Sequence, residues 1–425
     1  MPRLRTALPR WLAPTLLACA SASATAAPVW VSMDEAALRV LQSQRIDHDA
    51  VERHAVTARA ADQAVRQDTL VILRADDDQL HRLSLAAHEA LHRCGGFMVH
   101  ESREDARRTV AALQQHAGGE RLRTLATVPS YVIDDNAQVN ALLPQLQETQ
   151  ILSTITKLQS YSNRYYRNAV GAKASNDLAA GWAALAAGRS DASVSQFTHR
   201  NFPQKSVILT LRGSVAPDEI VVIGGHLDSI SPNAVFSPTG KAPGADDDAS
   251  GIATLQEVMR VVLQSGYQPA RTLQFIGYAG EEAGLLGSKE IAQSYAAQGR
   301  NVVGALQLDM TAYPGGSSDI TLISDYTNTA QDNFLAALTS AYLPTVRVVR
   351  DVCGYACSDH ASWTTQGFAA SFPFEAPLGA DNPHIHTPKD KPVKFGNSAA
   401  HAIQFARLAL AYAVELGSDS GPAAR

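Results

Sequence analysis

Five near-continuous apolar runs rich in β-branched residues constrain this chain more than any other feature: "SVILTLRG", "EIVVIGGH", "TLQFIGYAG", "GALQLDM" and "DITLISD", all between Ser206 and Asp325. Strands of this kind, unlike alternating ones, are buried on both faces. Helical segments separate them, among them "SGIATLQEVMRVVLQSG" and "SKEIAQSYAAQG". The alternation predicts an α/β fold with a mostly parallel central sheet and helices on both faces. Ahead of the first run, "QVNALLPQLQETQILSTITKLQSY" and "ASNDLAAGWAALAAG" read as amphipathic helices.

In an open sheet of this class, ligands bind just beyond the carboxyl ends of the strands. Acids and histidines gather at those places here. One run ends in His226-Leu227-Asp228, the next in Glu281-Glu282, and "ALQL" in Asp309. "GADDDASG" sets Asp246, Asp247 and Asp248 side by side at a helix start, with no positive side chain in the run. A late loop adds "HIH", His384 and His386. Singly, each has an ordinary explanation as a cap, a solvated helix start or a loop histidine. Together they point to a pair of divalent cations, which one carboxylate can bridge. Histidine and carboxylate without thiolate suits zinc, with manganese or cobalt as alternatives.

The first residues follow a different logic. "MPRLRTALPRW" is basic, "LAPTLLACA" apolar and "SASATAA" small, the order of a signal peptide cleaved after Ala26. The apolar part is too short to span a bilayer, which takes about 20 residues. An exported protein is expected, secreted or held in the periplasm. Residues 27–130 read as a small α+β module with three helical patterns, "MDEAALRVLQSQ", "LHRLSLAAHEALHRC" and "REDARRTVAALQQHA", and one strand, "DTLVILRA". Residues 131–418 form the main domain and 419–425 a flexible tail. Within the module, "HEALH" (His88 to His92) fits the zinc-helix pattern H-E-x-x-H. It has no evident third ligand, and it is the internal rival to the later constellation. In an exported chain, Cys353 and Cys357 of "CGYAC" read as a disulfide, with a metal pair as the alternative. A net charge of -5 gives no reason to expect nucleic acid or an anionic membrane as partner.

Six blocks, "IGGHLDS", "PGADDDASGIA", "EEAGLLGS", "LQLDMTAY", "CGYACSDHASW" and "HIHTPKD", resemble the secreted bacterial leucyl aminopeptidases with a di-zinc centre, over about Asn136 to Gly417. The resemblance implies that Asp247 bridges two Zn2+ ions. Glu282 and His386 would complete one site, and His226 and Asp309 the other. It implies Glu281 as general base, Tyr355 as hydrogen-bond donor to the oxyanion, and Asp228 and Asp248 as supports, Asp228 orienting the His226 ring. The Asp247–Asp248 peptide would be cis. The side-chain pocket would comprise Met310, Ile323, Cys353, Tyr355, Cys357, Phe372, Phe374 and Ile385, with Leu378 and Asp381 at its rim and Ser358, Asp359 and His360 behind the site. The implied reaction is removal of leucine or another large apolar residue from peptides with a free N-terminus. Alternatives are an amidohydrolase, carboxypeptidase or glutaminyl cyclase on the same fold, or a binding module without catalysis. The N-terminal module would be the enzyme's own propeptide or a permanent accessory domain, and a monomer is expected.

Overall fold

A computed structural model describes residues 28–59, 65–76, 79–91, 93, 95–117 and 131–418. The expected signal peptide, His92 of the "HEALH" stretch, residues 118–130 and the tail from 419 lie outside the described residues. Two sheets form among the described residues. The first contains β1 (Pro28–Asp34), β2 (His48–Arg59), β3 (Val65–Asp76) and β4 (Phe97–His100), in the order β2-β3-β1-β4, all antiparallel. Its helices are α1 (Glu35–Ser43), α2 (Leu80–Leu91) and α3 (Arg103–Ala117). The three helices and β3 lie where their sequence patterns put them. The other three strands were not anticipated.

The second unit opens with α4 (Asn136–Leu142), α5 (Glu148–Leu158) and α6 (Ala169–Leu185). Its strands are β5 (Ala192–Phe197), β6 (Ser206–Leu211), β7 (Ala216–His226), β8 (Arg271–Tyr278), β9 (Asn301–Gln307), β10 (Ile320–Ile323), β11 (Val348–Asp351) and β12 (Ala370–Phe374). Its remaining helices are α7 (Ala249–Gln264), α8 (Leu286–Ala297), α9 (Thr329–Tyr342), α10 (His360–Thr365) and α11 (Ala402–Ser418). The strand order is β11-β10-β12-β9-β7-β8-β6-β5. The centre is parallel, with β7 between β8 and β9, and β12 parallel to β9. β5 and β6 close one side antiparallel.

Alternate side chains explain why these strands read as apolar throughout. Val221 and Ile223 pack with α7 and α11 on one face, while Val222 points to the cluster holding Ile291 of α8 and Trp363 of α10. Every residue of β8 is buried. With both faces covered, polar groups can collect only at the strand ends, and β7, β8 and β9 all deliver their carboxyl ends to one place.

Candidate metal centre

Two aspartates shape the site before any ligand is considered. Asp248 caps α7, accepting from Gly251 N at 2.7 Å, and also accepts from His226 N at 3.0 Å and Met310 N at 3.2 Å. It thereby ties the ends of β7 and β9 to the start of α7. Such closeness requires glycine at 251, because a Cβ there would lie 2.3 Å from Leu308 O and 2.4 Å from Asp248 Oδ1. Asp228 accepts from Glu281 N at 3.0 Å and Glu282 N at 3.2 Å, fixing the turn after β8. Its Oδ1 stands 3.5 Å from His226 Nδ1, outside good hydrogen-bond geometry. The support expected for the His226 ring therefore goes chiefly to the backbone of the two glutamates. The Asp247–Asp248 peptide is cis.

The five residues expected as ligands converge. His226 Nε2 is 3.0 Å from Asp247 Oδ1 and 3.5 Å from Asp309 Oδ1. On the other side of the same carboxylate, His386 Nε2 is 3.2 Å from Asp247 Oδ2 and 2.7 Å from Glu282 Oε2. They make two groups of potential ligands, His226–Asp247–Asp309 and Asp247–Glu282–His386, with ligand atoms within 4.8 Å of one another in each. Ser358 Oγ donates to the second oxygen of Asp309 at 2.6 Å. His384 stays partly exposed and joins neither group.

Burial and the crowding of charge shift the titration of Glu281, Glu282, Asp247, His226 and His386. Burial pushes Glu281 far above the usual carboxylate range, and the acids Asp359, Asp309 and Glu282 add to it against the pull of His226. Burial likewise raises Glu282, to about 7. Burial acts on Asp247 in the same sense, but His226 and His386 outweigh it and hold that carboxyl low. The imidazoles move up despite burial: Glu282 and Asp247 bring His386 to about 10, while Asp309 and Glu281 lead the rise of His226. Both oxygens of Glu282, Oδ1 of Asp309 and both ring nitrogens of His386 are buried without a well-formed hydrogen bond, although close ion-pair contacts exist. Buried polar atoms seldom go unsatisfied. Donors of this kind, aimed at one another, fit divalent cations.

The run of three aspartates has a fixed counter-charge, supplied from a distant loop. Arg164 is wholly buried and donates to Leu227 O at 2.7 Å, Pro243 O at 2.6 Å and Gly244 O at 2.9 Å, with the charges of Asp248, Asp390, Asp228 and Asp247 around it. Asp390 accepts from Asp246 N and Asp247 N, both at 3.1 Å. Neither Arg164 nor Asp390 was singled out beforehand. Asp390 closes the block "HIHTPKD", which was the available clue, whereas nothing in "SNRYYR" marks Arg164.

Beside the ligands, Met310, Ile323, Tyr355, Cys357, Phe372, Phe374 and Ile385 form one apolar cluster, joined by Cys353 and Leu378. Cys353 and Cys357 are bridged by a disulfide. A cavity against Asp309 is lined by most of this cluster together with Asp381, while Ile323 packs in the cluster without lining the space. His360 stacks on Phe372 and Asp359 accepts from Gln307, so both support the site from behind. From the N-terminal unit, Arg93 also lines the cavity, and the ring of His88 lies 4.9 Å from that of His386. Among the described residues, neither His88 nor Glu89 belongs to a group of three potential ligands.

Comparison with known proteins agrees with this geometry. Residues 206–411 match the family described as Peptidase family M28. Leucine aminopeptidase 1 of Arthroderma gypseum is 39% identical over 294 residues, covering 65% of this chain and 76% of that protein. The crystal structure of the LapA aminopeptidase of Legionella pneumophila superposes with a TM-score of 0.73 at 27% identity, covering 93% of this chain and 100% of that one. LapB from the same organism gives 0.74 at 28%, covering 92% and 100%.

Proposed function

We propose, for a chain that belongs to peptidase family M28 and is an aminopeptidase, that it is exported and removes leucine and other large apolar residues from peptides with free N-termini, using two zinc ions. The observation that carries this reading is a pair of ligand groups sharing Asp247 at the edge of an apolar pocket. His226, Asp247 and Asp309 would hold one ion, and Asp247, Glu282 and His386 the other, a set that also suits Mn2+ or Co2+. When bound, such ions polarise a carbonyl and make water acidic enough to attack near neutral pH.

The chain's own groups do the rest. Glu281 belongs to neither ligand group yet shares its turn with Glu282, so it is free to take a proton from the attacking water and pass it to the leaving amine. Asp228 steadies it through the Glu281 N–H. The Tyr355 hydroxyl would donate to the substrate oxygen as negative charge develops there. The surrounding carboxylates favour a protonated α-amino group, which an acetylated peptide lacks. The leaving residue's side chain would enter the pocket of Met310, Phe372, Phe374 and Ile385, with Asp381 polar at the rim. The N-terminal module would be a propeptide, cleaved from a monomeric enzyme.

The test combines metal analysis of the purified chain with rates on leucyl 4-nitroanilide and its N-acetyl form. Two metal ions per chain, chelator-sensitive release from the free amide and none from the acetylated one are expected. Cleavage of C-terminal residues from blocked peptides would identify a carboxypeptidase instead, and cyclisation of N-terminal glutamine a cyclase.

A further inference from the structure

The N-terminal unit does not merely lie beside the site. Arg93, which falls between α2 and β4, reaches into it. There Arg93 is gripped by a fork, its Nη1 donating to Asp34 Oδ2 at 2.8 Å and its Nη2 to Asp34 Oδ1 at 2.7 Å. Asp34 is itself fixed, since Oδ1 also accepts from Ala37 N at 2.7 Å to cap α1. The guanidinium so positioned sits 4.2 Å from the ring centre of Tyr355, in cation–π contact. With Arg93 in its lining, the apolar pocket retains a free volume of ≈ 20 Å³. A single water needs about 10–15 Å³ of such space, so a leucine side chain has no room.

A second contact holds this arrangement. Lys289 of α8 is buried, and its Nζ donates to Val99 O at 2.7 Å, Asp105 Oδ2 at 2.7 Å and His100 Nδ1 at 2.6 Å. All three partners belong to the N-terminal unit. His100 is neutral, pushed down to about 3 by burial and by Lys289, and Ser32 Oγ lies 2.7 Å from its Nε2. Lys289–Asp105 is thus a buried charged pair across the interface, whereas the Arg200–Glu101 pair beside it is exposed. β4 also bonds the turn that carries the two glutamates, Val99 N donating to Gly284 O at 3.1 Å.

We propose that Arg93 is a built-in plug of the substrate pocket, competing with the peptide for its own site, and that the Lys289–Asp105 pair is the latch that keeps it seated. The proposal rests on the aminopeptidase reading and deepens it by naming how that site is regulated. An uncut chain binds substrate only in the fraction of molecules whose plug is out, so its apparent affinity is lowered by that fraction. Removing the guanidinium opens the pocket while the module stays docked.

The test uses the full zinc-loaded chain as wild type, Arg93→Ala, Arg93→Lys and Asp105→Ala. Two quantities are read: KM and kcat on leucyl 4-nitroanilide, and calorimetric binding of leucine phosphonic acid, which needs no turnover. Arg93→Ala is expected to lower KM and tighten phosphonate binding by about tenfold or more at unchanged kcat. Arg93→Lys, which keeps the charge but loses the planar fork, falls between. Asp105→Ala shifts in the same direction as Arg93→Ala by loosening the latch. If Arg93→Ala fails to fold, the other two variants make the same comparison. Chains that are active and identical in KM and binding overturn the plug and leave the aminopeptidase reading intact. Chains inert to both compounds in every form overturn that reading and the plug with it.

Discussion

The two units of this chain treat charge in opposite ways. In the N-terminal unit, Arg74 pairs with Asp49, Arg53 with Glu35, and Glu52 with both Arg103 and Arg107, and in each pair the arginine lies at least 43% in solvent. Under the strand ends of the large sheet, Asp228, Asp246, Asp247, Asp248, Glu282 and Asp309 are each no more than 3% exposed. Water screens the first group and makes each pair worth little. The second group has no such screen, so its cost must be met by fixed partners. Arg164, two imidazoles and several backbone N–H groups supply part of that compensation. So many buried carboxylates against those few cations fit a metal site, and the contrast locates the chemistry.

Four changes would break or sharpen this contrast. The largest effect is expected at the acid that the ligand groups leave out: Glu281→Gln should cut kcat by about 10²–10⁴-fold with metal content unchanged. Full rate in that variant would remove the general base from the account. Next, Arg164→Met should cost about 3–5 kcal/mol in denaturant unfolding, because it strips a buried cation from a cluster of anions. A loss under about 1 kcal/mol would mean that backbone donors alone stabilise the aspartates.

A smaller, conditional effect concerns the interface. Burial pushes Asp105 up, but His100 and Lys289 outweigh it and hold its carboxyl well below the ordinary value of 3.8. A depressed carboxylate contributes stability that is complete above its unfolded value and lost as pH falls through the folded one. Lys289, brought down to about 8 by burial, keeps its charge at and below neutral pH, and the nearby Glu101 and Arg108 act on it in opposite senses. The acid limb therefore has two parts: His100, held neutral down to about 3 by burial and Lys289, costs stability as pH falls below its ordinary 6.5, and Asp105 adds to that loss below 3.8. The protection of the amides of residues 97–100, taken relative to their intrinsic exchange rate at each pH, should be high near neutral pH, start to fall as pH drops below 6.5 and fall further below 3.8. Protection with no such fall would argue against the latch. At the bottom of the scale, Arg74→Ala should leave the thermal midpoint where it was, and a clear drop would show that the exposed pairs matter more than the comparison allows.

What could be read in advance follows the same division. β6 to β10 announced themselves because both faces are covered, which forces near-continuous apolar sequence. β2 did not, since "HDAVERHAVTAR" is an edge strand whose polar face carries Glu52 to its arginines. β4 and β11 have four residues each, and β12 contains Pro373, all too little for a period to show. The convergent acids and histidines were legible because such a residue ending a buried strand has few other reasons to be there. Arg164 and Arg93 were not. Each acts across a long stretch of sequence through a single guanidinium, and no local periodicity records that.

The most direct test of the central claim is a crystal of the purified chain measured at the zinc absorption edge. Two anomalous peaks are expected, one enclosed by His226, Asp247 and Asp309 and the other by Asp247, Glu282 and His386, with Asp247 touching both. A lone peak held by His88 and its neighbours on α2, or none beside Asp247, would contradict the account.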